Sequence, residues 1–279
     1  MSTSAQRSVP TDRYLIRGDV RLRFRDEGHG PPVVLVHGWA LTLEMWQPQV
    51  EALSERFRIL RMDRRGFGES TGPPDLDADA RDLVALLDEL GISRVALLGM
   101  SQGARTALTF AAIAGERIGC LVLDGAPADE RLGLPVPADN LPLAHYRQVL
   151  EDKGIEAVRS ELASLPFLRL QTGNAQAHRL VQAILQRYSG ADLRLPVLTG
   201  GATTPVTLQH LKMPLLVLTG EFDSPQRRRA ADALCEALPH AQRATVPRAG
   251  HLANLDNPES YNTILARFLE RHAPTSDRA

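Results

Sequence analysis

Val95-Ala96-Leu97-Leu98-Gly99-Met100-Ser101-Gln102-Gly103, running on into Ala104–Ala114, is the stretch on which the fold turns. A short apolar run of the strand type leads into a G-x-S-x-G turn, and a segment of helical spacing leaves it. In such a turn the neighbouring positions must be small, so that the chain can fold back tightly. The serine hydroxyl is then lifted off the backbone and stands near the positive end of the following helix. On its own the five-residue pattern carries little weight. Between a strand and a helix it marks Ser101 as a nucleophile.

On either side of this stretch, short Val/Ile/Leu runs alternate with helix-period segments. Val33–Val36, Arg58–Met62, Val95–Leu98, Leu121–Leu123, Leu215–Leu218 and Arg243–Val246 read as strands. Glu44–Phe57, Asp77–Leu90 and Ala104–Ala114 read as helices, the second with Ala80, Leu83, Leu87 and Leu90 on one stripe and Gly91 as its stop. Continuous apolar strands alternating with helices imply parallel βαβ units buried on both faces. Near the N-terminus, Tyr14–Arg17 and Val20–Arg25 read as an antiparallel hairpin around Gly18-Asp19. The alternation breaks between Pro127 and Pro205. That stretch holds three helical segments, Leu143–Asp152, Ile155–Leu165 and Ala175–Tyr188, and no strong strand. It reads as a helical insertion, residues 128–205, dividing a core of residues 1–127 and 206–279.

Composition excludes several function classes. The 279 residues carry 32 basic and 33 acidic side chains, net charge −1, without the basic excess of a nucleic-acid binder. Every basic residue but Lys153 and Lys212 is arginine. Scattered among acids, these arginines read as coding bias rather than as a phosphate-binding device. Cys120 and Cys235 stand far apart and read as free thiols in a reducing compartment. No signal-peptide pattern opens the chain, and no apolar run nears the ~20 residues that span a bilayer. A cytoplasmic protein with neither nucleic-acid nor membrane partner is expected. No metal-ligand spacing and no phosphate loop occurs, so neither cofactor nor metal is expected.

A serine hydroxyl needs a base. Among eight histidines, His251 in Ala249-Gly250-His251-Leu252 is the candidate, because it stands on a loop after the last strand. The base needs a carboxylate to orient it. Asp223, after Leu215–Leu218 in Gly220-Glu221-Phe222-Asp223, ranks first. Asp124, at the end of Leu121–Leu123, is the alternative acid, and Glu221 ranks third. The order Ser101, Asp223, His251 is that of hydrolases built on such sheets. Two backbone N–H groups would receive a developing oxyanion: Gln102, after the serine, and Trp39, on the loop after Val33–Val36. His37 reads as a structural side chain holding that loop.

These pieces resemble the α/β-hydrolase superfamily: Leu35-Val36-His37-Gly38-Trp39, Asp63-Arg64-Arg65-Gly66-Phe67-Gly68-Glu69-Ser70, Gly99–Gly103, Gly220–Asp223 and Gly250-His251. Within it the chain is similar to bacterial carboxylesterases, 3-oxoadipate enol-lactonases and pimeloyl-carrier-protein methyl esterases. One departure is Ala104-Arg105, where many members carry another glycine. The resemblance implies a mostly parallel, eight-stranded sheet flanked by helices, with the insertion in the place of a cap. It also implies a serine hydrolase acting on a small-molecule ester or lactone through an acyl-enzyme. The same triad would serve hydrolysis of a carbon–carbon bond in a vinylogous diketone, or a cofactor-free lyase or oxygenase. Relatives with an aspartate nucleophile, the haloalkane dehalogenases and epoxide hydrolases, are disfavoured by Ser101. Leu134, Leu141, Leu143, Tyr146, Leu165, Phe167 and Leu168 are candidate pocket walls. Leu180, Ile184 and Leu185 are candidates for the insertion's own core. The oligomeric state is not fixed by the sequence, and a homodimer stays open.

Overall fold

A computed structural model of the chain describes residues 11–125, 129–134, 141–195 and 202–275. Eight strands form one sheet: β1 (Arg13–Arg17), β2 (Val20–Glu27), β3 (Pro32–Val36), β4 (Arg58–Met62), β5 (Val95–Met100), β6 (Ile118–Asp124), β7 (Leu215–Gly220) and β8 (Ala241–Val246). Their order is β1-β2-β4-β3-β5-β6-β7-β8. β1 and β2 pair antiparallel across Gly18-Asp19, and β2 pairs antiparallel with β4. From β4 onward every neighbouring pair is parallel.

Both faces of the central parallel strands β3, β5, β6 and β7 are covered, and this is why they read as unbroken apolar runs. Side chains alternate between faces along a strand. Val33, Leu35, Ala96, Leu98, Cys120, Val122, Leu216 and Leu218 join one buried cluster. Val34, Val36, Val95, Leu97, Leu121, Leu123, Leu215 and Val217 join the other. Helices α2 (Leu76–Glu89), α3 (Gln102–Ala114) and α7 (Pro225–Ala237) supply the second cluster. Helices α1 (Gln47–Leu53), α8 (Ala253–Asp256) and α9 (Pro258–His272) supply the first. A fully buried residue such as Leu35 is worth about 2–5 kcal/mol against alanine.

The expected helix Glu44–Phe57 is shorter in the structure. A 3₁₀ turn, Leu43–Trp46, comes first, and α1 begins at Gln47. Pro48 accounts for this, since proline lacks an N–H and fits only the first turn of a helix. The insertion contains α4 (Leu143–Lys153), α5 (Ile155–Leu162) and α6 (Ala175–Gln186). Tyr146, Val149, Val158, Leu162, Val181, Ile184 and Leu185 continue the first cluster beyond the sheet. Leu134 departs from expectation. It packs against the second cluster and not with the aromatic residues of the insertion. Residues 127 and 128, the expected boundary, lie outside the described residues. No helix among the described residues is long and apolar enough to cross a membrane.

Candidate active site

The parallel strands end along one edge, and the loops leaving that edge carry every candidate residue, as expected for an open α/β sheet. Ser101 follows β5 directly, with φ 54° and ψ −114°. A non-glycine residue in this region is strained. Its backbone N–H donates to the Asp124 carbonyl at 2.8 Å, which ties the turn to the end of β6. The flanking glycines are required by close approach. A Cβ on Gly103 would strike the carbonyls of Val36 and His37, and one on Gly99 would strike the backbone of Gly103.

His251 lies on the loop after β8, buried like Ser101. Its Nδ1–H faces both carboxylate oxygens of Asp223, at 3.1 and 3.0 Å. That bond fixes the tautomer and turns Nε2 away from the acid. Burial pushes the Asp223 carboxyl up, but His251 and the Arg227 guanidinium outweigh it and hold the carboxyl below its usual range. The Ser224 N–H adds a bond to Asp223 Oδ1 at 2.7 Å. The loop itself is pinned by Asp256, which accepts from the N–H of Gly250 at 2.7 Å and of Gln171 and Thr172 at 2.6 and 3.0 Å. One carboxylate thereby ties the histidine loop to the insertion.

The two rival acids are placed elsewhere. Glu221 accepts from the Arg248 N–H at 2.7 Å, at the surface. Asp124 is fully buried and accepts from the Tyr261 hydroxyl at 3.0 Å. Burial pushes its pKa up to about 8, so it is largely neutral at pH 7. The other histidines serve local structure or the surface. His145 pairs with Glu161, His178 bonds the Thr172 carbonyl, and His210 closes a capping turn at Thr207.

The loop after β3 approaches the serine closely. A Cβ on Gly38 would lie 3.4 Å from Ser101 Cβ, so the loop at Gly38 borders the Ser101 side chain. Among the described residues no protein acceptor takes the backbone N–H of Trp39 or Gln102. His37 is buried and neutral. Its Nε2 accepts from the Arg64 N–H at 2.9 Å, and its Nδ1–H donates to the Gly38 carbonyl at 2.8 Å. Burial and Arg64 lower its pKa to about 3.

Above the serine the insertion forms an aromatic wall. The Trp39 ring packs against Tyr146, Phe167 and Tyr188, with centroids 5.6, 6.4 and 6.1 Å away. Phe167 stands edge-on to His251 at 6.0 Å. Asp192 accepts from both the Trp39 indole N–H and the Tyr188 hydroxyl, each at 2.6 Å. Tyr146 and Phe167 are among the expected pocket walls, whereas Tyr188 and Asp192 carry no local signal for this role. Among the described residues no group of three or more His, Cys, Asp or Glu is placed to hold a metal ion.

Residues 31–258 match the family model of the alpha/beta hydrolase fold. The chain belongs to the α/β-hydrolase family. The pimeloyl-[acyl-carrier protein] methyl ester esterase of Nitrosomonas europaea is 28% identical, over 84% of this chain and 94% of that protein. The bifunctional epoxide hydrolase 2 of Sus scrofa is 24% identical over 97% of this chain, but the match spans only 57% of that longer protein. Among solved structures, a thermophilic esterase from Thermogutta terrifontis superposes with a TM-score of 0.77 at 26% identity. That match covers 95% of this chain and all of the esterase.

Proposed function

We propose that this α/β-hydrolase is a serine hydrolase that cleaves a carboxylic ester or lactone through an acyl-enzyme. Ser101 Oγ attacks the carbonyl carbon while His251 Nε2 takes its proton. The oxyanion is received by the backbone N–H groups of Trp39 and Gln102. His251 then protonates the leaving alkoxide. Water, deprotonated by His251, attacks the acyl-enzyme, and the proton returns to Ser101 as the acid leaves. Asp223 orients the imidazole and stabilises its charged form throughout. In this reading α4–α6, within residues 128–205, serve as the cap, and their aromatic wall favours a small, apolar acyl or lactone substrate. The two free thiols, Cys120 and Cys235, suit a reducing cytoplasm.

The observation that carries the reading is the paired contact of His251 Nδ1 with both Asp223 oxygens, on the same sheet edge as the strained Ser101. The esterase relatives add support. A serine at the turn also leaves no carboxylate there for the alkyl-enzyme of an epoxide hydrolase. Ser101→Ala is expected to fold normally and to lose turnover of p-nitrophenyl esters by about 10³-fold or more. A fluorophosphonate is expected to label Ser101 alone. Unchanged turnover in Ser101→Ala would sink the assignment.

A further inference from the structure

Arg64 follows β4 in the run Asp63–Ser70, which the proposed chemistry leaves unused. It is almost wholly buried, unusual for an arginine unless it is paired. Its Nη1 donates to Asp79 Oδ2 on α2 at 3.2 Å. Its guanidinium lies over the Phe67 ring, 4.7 Å from the centroid. Its Nη2 has two further acceptors. One is the Gly38 carbonyl at 3.2 Å, the other Gln102 Oε1 at 2.6 Å. These acceptors belong to the two proposed oxyanion donors. The Gly38 carbonyl is the acceptor half of the very peptide whose N–H is that of Trp39. Gln102 carries the other N–H. One buried cation therefore grips both halves of the hole from behind.

We propose that Arg64 is the positioning residue of the oxyanion hole, fixing and polarising the Gly38–Trp39 amide through its carbonyl and locking Gln102 through its side chain. The inference rests on the serine-hydrolase reading above. Two donors converge on the Gly38 carbonyl, the His37 Nδ1–H and the Arg64 guanidinium. Hydrogen bonds in series polarise one another in a dry site. A cation on a peptide carbonyl draws electron density from the N–H on its other side, so that Trp39 becomes a stronger donor toward a negative oxygen. The effect is largest where charge develops, in the tetrahedral state, and small for the neutral ground-state carbonyl. Asp79 holds the guanidinium in place from α2, and Phe67 fixes its plane. Lysine would keep the charge but could not bridge three acceptors in one plane.

The test compares Arg64→Met, Arg64→Lys and the double variant Arg64→Met with Asp79→Asn, which leaves no buried charge unpaired. Hydrolysis of a p-nitrophenyl ester and inhibition by a trifluoromethyl ketone, which forms a tetrahedral oxyanion on the serine, are measured for each. Removing Arg64 is expected to lower kcat about 10- to 100-fold with KM within about threefold. Affinity for the ketone should fall by the same factor, and Arg64→Lys should restore part of both. A merely structural role would lower thermal stability without linking kcat to ketone affinity. A folded double variant with kcat within about twofold of wild type, or a kcat loss without the matching ketone loss, overturns the proposal. If both methionine variants fail to fold, Gln102→Ala decides. It keeps the backbone N–H and removes only the grip of Arg64, so a severalfold parallel loss supports the inference and no loss overturns it. Fluorophosphonate labelling of wild-type Ser101 separates the two levels. A labelled, active wild type with insensitive Arg64 variants sinks only this inference, whereas an active Ser101→Ala sinks both.

Discussion

Gly125 is expected to be as demanding as any residue that does chemistry, and a matched pair of alanine substitutions tests this. Gly18 and Gly125 both hold the left-handed backbone, with φ 60° and 52°. At either one, an L side chain costs about 1–2 kcal/mol from conformation alone. Their surroundings differ. No heavy atom lies within 4 Å of a Cβ built on Gly18. A Cβ on Gly125 would lie 2.7 Å from His251 Cε1, 2.9 Å from His251 Nδ1 and 3.4 Å from Asp223 Oδ2. Carbon atoms rest about 3.5–4.0 Å apart, so the imidazole must retreat by about 0.8 Å. The backbone at Gly125 cannot yield instead, because its N–H is bonded to the Leu218 carbonyl and its carbonyl to Arg227. Overpacking of this kind adds about 1–3 kcal/mol. A misplacement near 1 Å costs about 100-fold in rate. Gly18→Ala is therefore expected to lose about 1–2 kcal/mol in urea unfolding and to keep wild-type kcat/KM. Gly125→Ala is expected to lose about 2–5 kcal/mol and about 30- to 100-fold in kcat/KM, assayed where both variants are fully folded. Equal activity of the two folded variants would refute the argument that Gly125 sets the position of the histidine–carboxylate pair.

Asp223→Asn, which keeps the shape but favours the wrong tautomer of His251, is expected to lower kcat about 10³- to 10⁴-fold. Asp124→Asn should retain most activity, and the opposite ranking by ester hydrolysis would reverse the choice of acid. The same Asp124→Asn variant carries a pH signature. The native carboxyl holds its proton up to about 8, whereas the unfolded chain releases it near 4. The contribution of Asp124 to stability is accordingly lost as pH rises from about 4 to about 8, and asparagine removes that contribution. Urea unfolding should show the variant more stable by about 1 kcal/mol or more at pH 8, with no gap below pH 4; a pH-independent gap contradicts this. At the exposed Arg248, with φ 54°, glycine keeps the N–H that Glu221 accepts and should raise stability by about 1 kcal/mol, read as a higher midpoint in the same titration.

The centre of the sheet is legible because β3, β5, β6 and β7 are covered on both faces. A run such as Leu121-Val122-Leu123 admits few other readings, and βα alternation dictates parallel pairing. Ser101 and His251 stand out in the sequence because glycines mark the turns beside them. What escaped is what depends on long-range approach. Chain order ranks Asp223 over Asp124, but both are acids at or just beyond a strand end. The choice falls to which of them meets the His251 ring in space. Tyr188 and Asp192 join Trp39 across more than 140 positions, which no periodicity encodes. The arginines show the same limit. Composition read them as coding bias, yet Arg23, Arg61, Arg64 and Arg227 are buried. Arg61 is paired to Glu27 and Arg23 to Asp63 and Glu44, with N–O distances of 2.7–3.2 Å. Partner choice, not composition, decides whether such a side chain is solvated or structural.

Among the described residues, positive φ at non-glycine positions occurs at Ala40, Ser101 and Arg248. Ala40 follows Trp39 on the loop after β3. Ser101 is the elbow after β5. Arg248 lies in the turn between β8 and His251. Each such residue costs on the order of 1–3 kcal/mol, and alanine and arginine have no special tolerance of the left-handed region. Strain of this size persists only where the surroundings over-determine the conformation. Here the rigid element is the parallel sheet: β3 and β5 are buried on both faces, and β8 is held in register along β7. The three strained positions fall on the three loops that hold the proposed oxyanion donor, the serine and the histidine, and not on the hairpins or helix connections elsewhere. A chance scatter of backbone outliers would not choose those loops. The distribution fits a single cause: the same sheet edge launches all three short loops, and these loops carry the groups the proposed chemistry uses.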